Sequence, residues 1–172
     1  MLVRRAVIDD APGIASVIHA MPELAIGNHQ PLSKLTEVVG SNLVTGLSTD
    51  RSSIHVAEIE TRIVGYIACH WVAFLLLDGG EGYVSELFVH PNFASQGIGT
   101  ELLRLIEAEA RSRGCTRLSL LNGRDRKSYE LGFYSKLGWT EREHMRNFIF
   151  PLTASAPSLA PEGPTGQPSH DN

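Results

Sequence analysis

Glu86-Leu87-Phe88-Val89-His90-Pro91-Asn92-Phe93-Ala94-Ser95-Gln96-Gly97-Ile98-Gly99-Thr100-Glu101-Leu102-Leu103 runs from an apolar strand, through a proline and two glycines, into a helix. The strand begins near Tyr83 and stops at His90-Pro91, because proline lacks the N–H a ladder needs. Ile98, Leu102, Ile106 and Ala110 then make an apolar stripe at helical spacing, reaching about Arg113, where Gly114 can terminate the helix. The first turn of a helix leaves N–H groups unpaired and carries partial positive charge, which suits an anion such as a phosphate. Gly97 and Gly99 let the backbone approach that anion with no Cβ in the way. By itself the pair fits a plain structural turn equally well. Two other phosphate motifs are excluded: a Walker A loop needs Lys-Ser or Lys-Thr where Thr100-Glu101 stands, and a dinucleotide fingerprint needs Gly or Ala at Leu102.

Outward from this stretch the chain alternates helical and strand patterns. Leu2 to Val7 predicts a strand, and Asp9 or Asp10 can cap a helix with Pro12 in its first turn and Ile14, Val17, Ile18 and Met21 on one face. Ser33 can cap a second helix through Leu35, Val38, Val39, Asn42, Leu43 and Gly46. Ile54 to Ile59 and Ile63 to Val72 predict an antiparallel hairpin turning at Glu60-Thr61-Arg62, and the loop from Asp78 to Gly82 leads into the strand ending at Val89. Beyond Gly114, Thr116 to Leu121 predicts a buried strand, Arg126 to Lys136 a helix stopped by Gly138, and Thr140 to Glu143 and Asn147 to Leu152 two more strands. A meander of antiparallel strands followed by a strand-helix-strand crossover is a mixed α/β order.

At 172 residues and 42% hydrophobic, the chain suits one domain. Residues 153–172 contain four prolines and no aromatic residue, so a folded domain over 1–152 with a Pro-rich, disordered tail is expected. A net charge of −4 argues against nucleic acid as a partner. No apolar run is long enough for a signal peptide or a membrane span, and Cys69 and Cys115 form neither a metal spacing nor a disulfide framework. A soluble protein of the reducing cytoplasm is the expectation. The seven histidines show no paired ligand spacing, so no metal site is expected.

The Glu86–Leu103 run resembles motif A of the GNAT family of N-acetyltransferases. Gly132-Phe133-Tyr134-Ser135-Lys136-Leu137-Gly138-Trp139 is similar to the family's FYxxxGF segment, with Trp139 for the last phenylalanine. Arg4-Arg5-Ala6 with Asp9-Asp10, and Val64-Gly65-Tyr66-Ile67, also fit, so the resemblance covers roughly residues 3 to 152. It departs at Ala94, where the family has Gln or Arg, and at Lys127, where many members have Asn; Asn122 stands five residues too early for that role. The resemblance implies an α/β (α+β) fold: a mixed, mostly antiparallel central sheet flanked by helices, with a splayed parallel strand pair at the cofactor site. Acetyl-coenzyme A is the implied co-substrate, with its pyrophosphate on Ala94, Ser95, Gln96, Gly97, Ile98, Gly99 and Thr100. Its pantetheine arm would add to the edge of Leu87, Phe88 and Val89. Arg124, Arg126 and Lys127 either attract the cofactor's phosphates or form a solvated helix start.

A protonated primary amine, with a pKa of about 10.4, must lose a proton before it attacks a thioester. Glu86, beside the cofactor edge, is the candidate base, with Tyr83 and His70 as weaker alternatives. Tyr134, at the family's position for the group that protonates the departing thiolate, is the candidate acid; Tyr129 is turned away from it on a helix. A backbone N–H near Val89 would hold the oxyanion. The expected activity is transfer of an acetyl group from acetyl-coenzyme A to a primary amine on a small molecule, by direct attack in a ternary complex. Alternatives are a protein N-terminus or lysine as acceptor, or a non-catalytic acyl-coenzyme A sensor. The acceptor site is expected from Met21 to Ser33 and from Phe74 to Gly82. Trp71, Phe74 and Leu75 to Leu77 read first as core, alternatively as acceptor pocket or homodimer contact.

Overall fold

The computed structural model describes residues 1–21, 24, 30–150 and 152. The expected tail from 153 onward, and most of the expected acceptor loop before Ser33, lie outside the described residues. Contacts divide the chain into two units, Met1–Glu141 and Arg142–Asn172.

The first unit carries the site. Its elements run β1 (Leu2–Arg5), a 3-10 turn (Ile8–Asp10), α1 (Ala11–His19), α2 (Leu32–Leu47), β2 (Ser52–Ile59), β3 (Arg62–Ala73) and β4 (Gly80–Val89). A 3-10 turn (Pro91–Phe93), α3 (Ile98–Ser112), β5 (Arg117–Leu120), α4 (Lys127–Glu130) and α5 (Phe133–Lys136) complete it. The five strands lie in the order β1-β2-β3-β4-β5, antiparallel except for the parallel β4–β5 pair. This is the mixed, mostly antiparallel sheet flanked by helices that the resemblance implied.

Alternation along the strands feeds two cores, one on each face. On one face Ile14 and Val17 of α1 and Leu35, Val39 and Leu43 of α2 pack on Val56, Ile63 and Tyr66. On the other, Ile98, Leu102, Leu103 and Ile106 of α3 pack on Ala57, Val64, Ile67, Cys69 and Val84. Each buried Val, Leu or Ile among them contributes about 1.5–3 kcal/mol on burial. Gly114 ends α3 as expected: at φ 70° it lets Gly114 N–H reach Arg111 O and Cys115 N–H reach Ala110 O, a Schellman closure.

Several expectations are corrected. β4 starts at Gly80, inside the expected loop, because Gly80 and Gly82 lie against neighbouring strands: a Cβ on Gly82 would stand 2.4 Å from Leu118. Ser33 lies within the first turn of α2, whose N-cap position is Pro31. Asp10 is at the N-cap of α1, yet its carboxylate caps nothing there; it turns back to accept from Arg4 and from Val7 N–H. The expected helix Arg126–Lys136 breaks into α4 and α5 at Gly132, whose φ of 61° no continuous right-handed helix can accommodate. No strand forms over 140–150 among the described residues. Glu141-Arg142-Glu143-His144 has no apolar face to bury, and Asn147 to Phe150 finds no partner strand. Trp71 is half-buried against the α3 core, whereas Phe74, Leu75 and Leu76 are exposed and Leu77 is not a core residue.

Candidate active site

Two irregularities in β4 open the site. Ala68 of β3 pairs with Glu86 but Cys69 pairs with Val84, so Ser85 is an extra residue, a bulge. The parallel pairing with β5 ends at the same place, with Val84 opposite Leu120. Beyond it, Glu86 to Val89 stay paired to β3 on one side and face a cleft on the other. His90 N–H donates back to Val64 O at 2.8 Å. Since peptide groups alternate sides along a strand, those of Leu87 and Val89 point away from β3, toward the cleft.

The cleft has a volume of about 680 Å³, within the range of sites for small ligands. At one end lies the glycine turn. Ser95 and Gly97 both have left-handed backbones, at φ 62° and 81°, and successive turns of this kind aim N–H groups into one concavity. Gly97 is the N-cap residue of α3, and no side chain among the described residues caps the helix there. Among the described residues no backbone carbonyl accepts from Ile98, Gly99 or Thr100, whose N–H groups begin the helix. Glycine at 97 answers the backbone conformation, since a Cβ there would meet nothing within 4 Å. The bend is supported from behind by His90, whose Nδ1 accepts from Asn92 N–H and whose pKa is held down by burial and by Arg62.

Of the expected cofactor residues, Leu87, Phe88, Val89, Ala94, Ser95, Gly97, Ile98, Gly99 and Thr100 line the cleft, and Gln96 does not. Glu86 and Tyr134 both line it. Tyr134 is braced edge-on by Phe133 and Trp139, at 5.0 and 5.9 Å between ring centroids. Burial pushes its pKa up and Arg126 pulls it back, and its hydroxyl has no hydrogen-bond partner among the described residues. Glu86 is exposed and accepts a 2.5 Å hydrogen bond from the Tyr66 hydroxyl. Tyr66 is 3% exposed, and burial and then the neighbouring carboxylate raise its pKa well above the usual phenol value, so it remains a donor. No local pattern marked Tyr66 as the partner of Glu86; only the register of β3 on β4 brings them together.

The alternatives fall elsewhere. His70 and Tyr83 pair with each other across the strands before the bulge, and neither lines the cleft. Tyr129 donates to Glu141. Arg124 also pairs with Glu141, at 2.7 Å, whereas Arg126 and Lys127 line the cleft. Asn122 lines it too and accepts from Ser128. Cys69 and Cys115 are absent from the lining, and burial pushes the Cys69 thiol up to about 12, which makes it a poor nucleophile. Among the described residues no group of His, Cys, Asp and Glu side chains is arranged to hold a metal ion, and no helix is long and apolar enough to cross a membrane.

A model of the acetyltransferase (GNAT) family matches residues 27–139. An uncharacterized N-acetyltransferase of Methanocaldococcus jannaschii is 29% identical over 106 residues, which are 60% of this chain and 46% of that protein, so the chain spans about half of this relative's length. Among solved structures, a transcriptional regulator from Bacillus halodurans C-125 superposes with a TM-score of 0.75 at 19% identity, covering 87% of this chain and 99% of the other. An aminoglycoside acetyltransferase from an uncultured soil sample superposes with a TM-score of 0.66 at 20% identity, covering 88% and 96%. At these identities the structures establish the fold alone. The family match spans more than half of the chain and includes the glycine turn, the bulged strand and Tyr134: this protein belongs to the acetyltransferase (GNAT) family.

Proposed function

We propose that this protein transfers an acetyl group from acetyl-coenzyme A to a primary amine on a small molecule, within a ternary complex. The observation that carries the reading is the cleft itself. One opening in the sheet has unpaired helix N–H groups at one end, a bare strand edge along its wall, and a carboxylate and an unpartnered phenol in its lining. These residues fit the donor. The turn from Ala94 to Thr100 would hold its pyrophosphate and the outward N–H and C=O groups of Leu87 and Val89 its amide arm. When bound, it supplies an activated acyl group on a thiol leaving group.

The chain's residues then have defined tasks. Glu86, held by Tyr66, takes a proton from the acceptor ammonium, directly or through water. The freed amine attacks the thioester carbonyl, forming the C–N bond, while the outward N–H of Val89 stabilises charge on the carbonyl oxygen. The C–S bond breaks, Tyr134 gives its proton to the thiolate, and the nitrogen loses its second proton through water to the resulting phenolate, while Glu86 returns the first proton to solvent. Placement of both cysteines outside the cleft favours direct attack over a covalent cysteine intermediate.

Thiol release from acetyl-coenzyme A with a panel of amines tests this reading. Tyr134→Phe should lower turnover about 10²–10⁴-fold, the usual worth of a positioned acid or base. Full turnover in that variant, with chemistry limiting the rate, would remove Tyr134 from the mechanism. Loss of coenzyme A binding in folded Gly97→Asp is the matching expectation for the cradle.

A further inference from the structure

The two faces of β4 beyond the bulge carry different chemistry. Leu87 and Val89 belong to the α3 core, and Val89 lies 3.8 Å from where a Cβ on Gly99 would stand, so this face leads to the glycine turn. Glu86 and Phe88 share the opposite face: Tyr66 donates to Glu86, and its ring centroid is 5.8 Å from that of Phe88. The Arg126 guanidinium carbon sits 5.6 Å from the Phe88 centroid. Arg126 therefore reaches a ring on the Glu86 face of the strand. It also lines the cleft, and its charge is felt by the Tyr134 hydroxyl, which places it near the reacting centre.

Its pairing sets it apart from its neighbours. Arg124 has Glu141 and Arg117 has Glu81, but among the described residues no carboxylate pairs with Arg126. A guanidinium stacked on an aromatic ring keeps its edge N–H groups free for a second, in-plane partner. A lone cation at this spot would repel an approaching alkylammonium, working against Glu86. The conflict disappears if the acceptor carries its own negative charge.

We propose that the acceptor is zwitterionic, a primary amine with a carboxylate a few bonds away, its ammonium group at Glu86 and its carboxylate bound in a bidentate manner by Arg126. This assignment rests on the acetyl-transfer reading of the cleft. Arg126 is then a specificity-determining residue, and planar fork geometry makes lysine an incomplete substitute.

The test uses the full chain and acetyl-coenzyme A, with the standard L-amino acids, their carboxamides and the corresponding decarboxylated amines as acceptors. Coenzyme A affinity is measured separately by calorimetry. At least one amino acid should exceed its carboxamide in kcat/KM by about 10- to 100-fold, the range expected for a hydrogen bond to a charged group. Arg126→Ala should abolish that preference through KM, Arg126→Lys should restore part of it, and coenzyme A affinity should stay within about twofold. Equal use of acids and carboxamides overturns the proposal and leaves acetyl transfer standing. So does a preference that survives in Arg126→Ala, or a loss in that variant confined to coenzyme A binding, which would return Arg126 to the cofactor. Binding of coenzyme A with no panel member acetylated overturns the acceptor class. Absence of both binding and thiol release overturns the acetyl-transfer reading itself.

Discussion

Glu81 and Glu86 stand five residues apart on one strand and have opposite surroundings. Glu81 lies before the bulge, between β3 and β5; it is 5% exposed and accepts from Arg117 Nε and from the Ser119 hydroxyl, both on β5. Glu86 lies after the bulge, exposed to the cleft, held only by Tyr66 among the described residues. A buried carboxylate whose two oxygens are taken up by an arginine and a hydroxyl is committed to structure, whereas one with an open side can accept a proton from a ligand. The first half of β4 is locked to β5 by charge and hydrogen bonds, and that lock lets the second half stand apart without the pair separating along its whole length.

The comparison breaks most readily at the carboxylates. Glu86→Gln should lower acetyl-transfer turnover about 10²–10⁴-fold while moving the urea midpoint little. Glu81→Gln should do the reverse, costing about 2–3 kcal/mol of stability by leaving Arg117 and Ser119 poorly paired. Equal loss of stability in both would show that the bulge does not divide the strand.

The glycines give a smaller contrast. A Cβ on Gly82, in the locked half, would stand 2.4 Å from Leu118 and 2.7 Å from Trp71, so Gly82→Ala should cost about 1–3 kcal/mol in chemical denaturation. Gly97 has open space and only its left-handed φ of 81° to protect, so Gly97→Ala should cost about 1–2 kcal/mol and act mainly on coenzyme A affinity.

The smallest effect concerns His55 on β2, opposite Ile67 of β3. It is 9% exposed, and its Nδ1 is buried without a hydrogen-bond partner among the described residues. Burial holds its pKa below the usual histidine value, with Arg5 adding to this and Glu109 opposing it. The unfolded chain therefore takes up the proton more readily, so its contribution to stability is complete above about pH 6.5 and falls as the pH drops below it. His55→Gln should flatten the change of urea midpoint between about pH 7.5 and pH 5, leaving a remainder from His90, whose pKa is lowered in the same direction. An unchanged slope would remove His55 from this balance.

What was legible in advance follows the range of the physics. The glycine turn, the α3 stripe, the Gly114 stop and the β2–β3 hairpin rest on spacing and backbone preference within a few residues, and all four stand in the structure. The helix expected over Arg126 to Lys136 is divided at Gly132, because a left-handed φ of 61° ends one helical turn before the next begins. The strands expected beyond Trp139 failed because a strand exists only by pairing, and pairing is not written in the segment itself. The pairing of Tyr66 with Glu86 is absent from any local pattern for the same reason: the contact spans 20 residues and depends on a bulge at Ser85.

By itself, the sequence determined that a glycine turn leads from a strand into a helix, with a tyrosine downstream, since each is set by residue type and local spacing. Only the tertiary structure decided which carboxylate is locked and which is free, which arginine faces the Glu86 side, and where the sheet opens. Those outcomes depend on burial and on partners brought from distant strands, and the same glutamate or arginine has a different chemistry according to which neighbours the fold supplies.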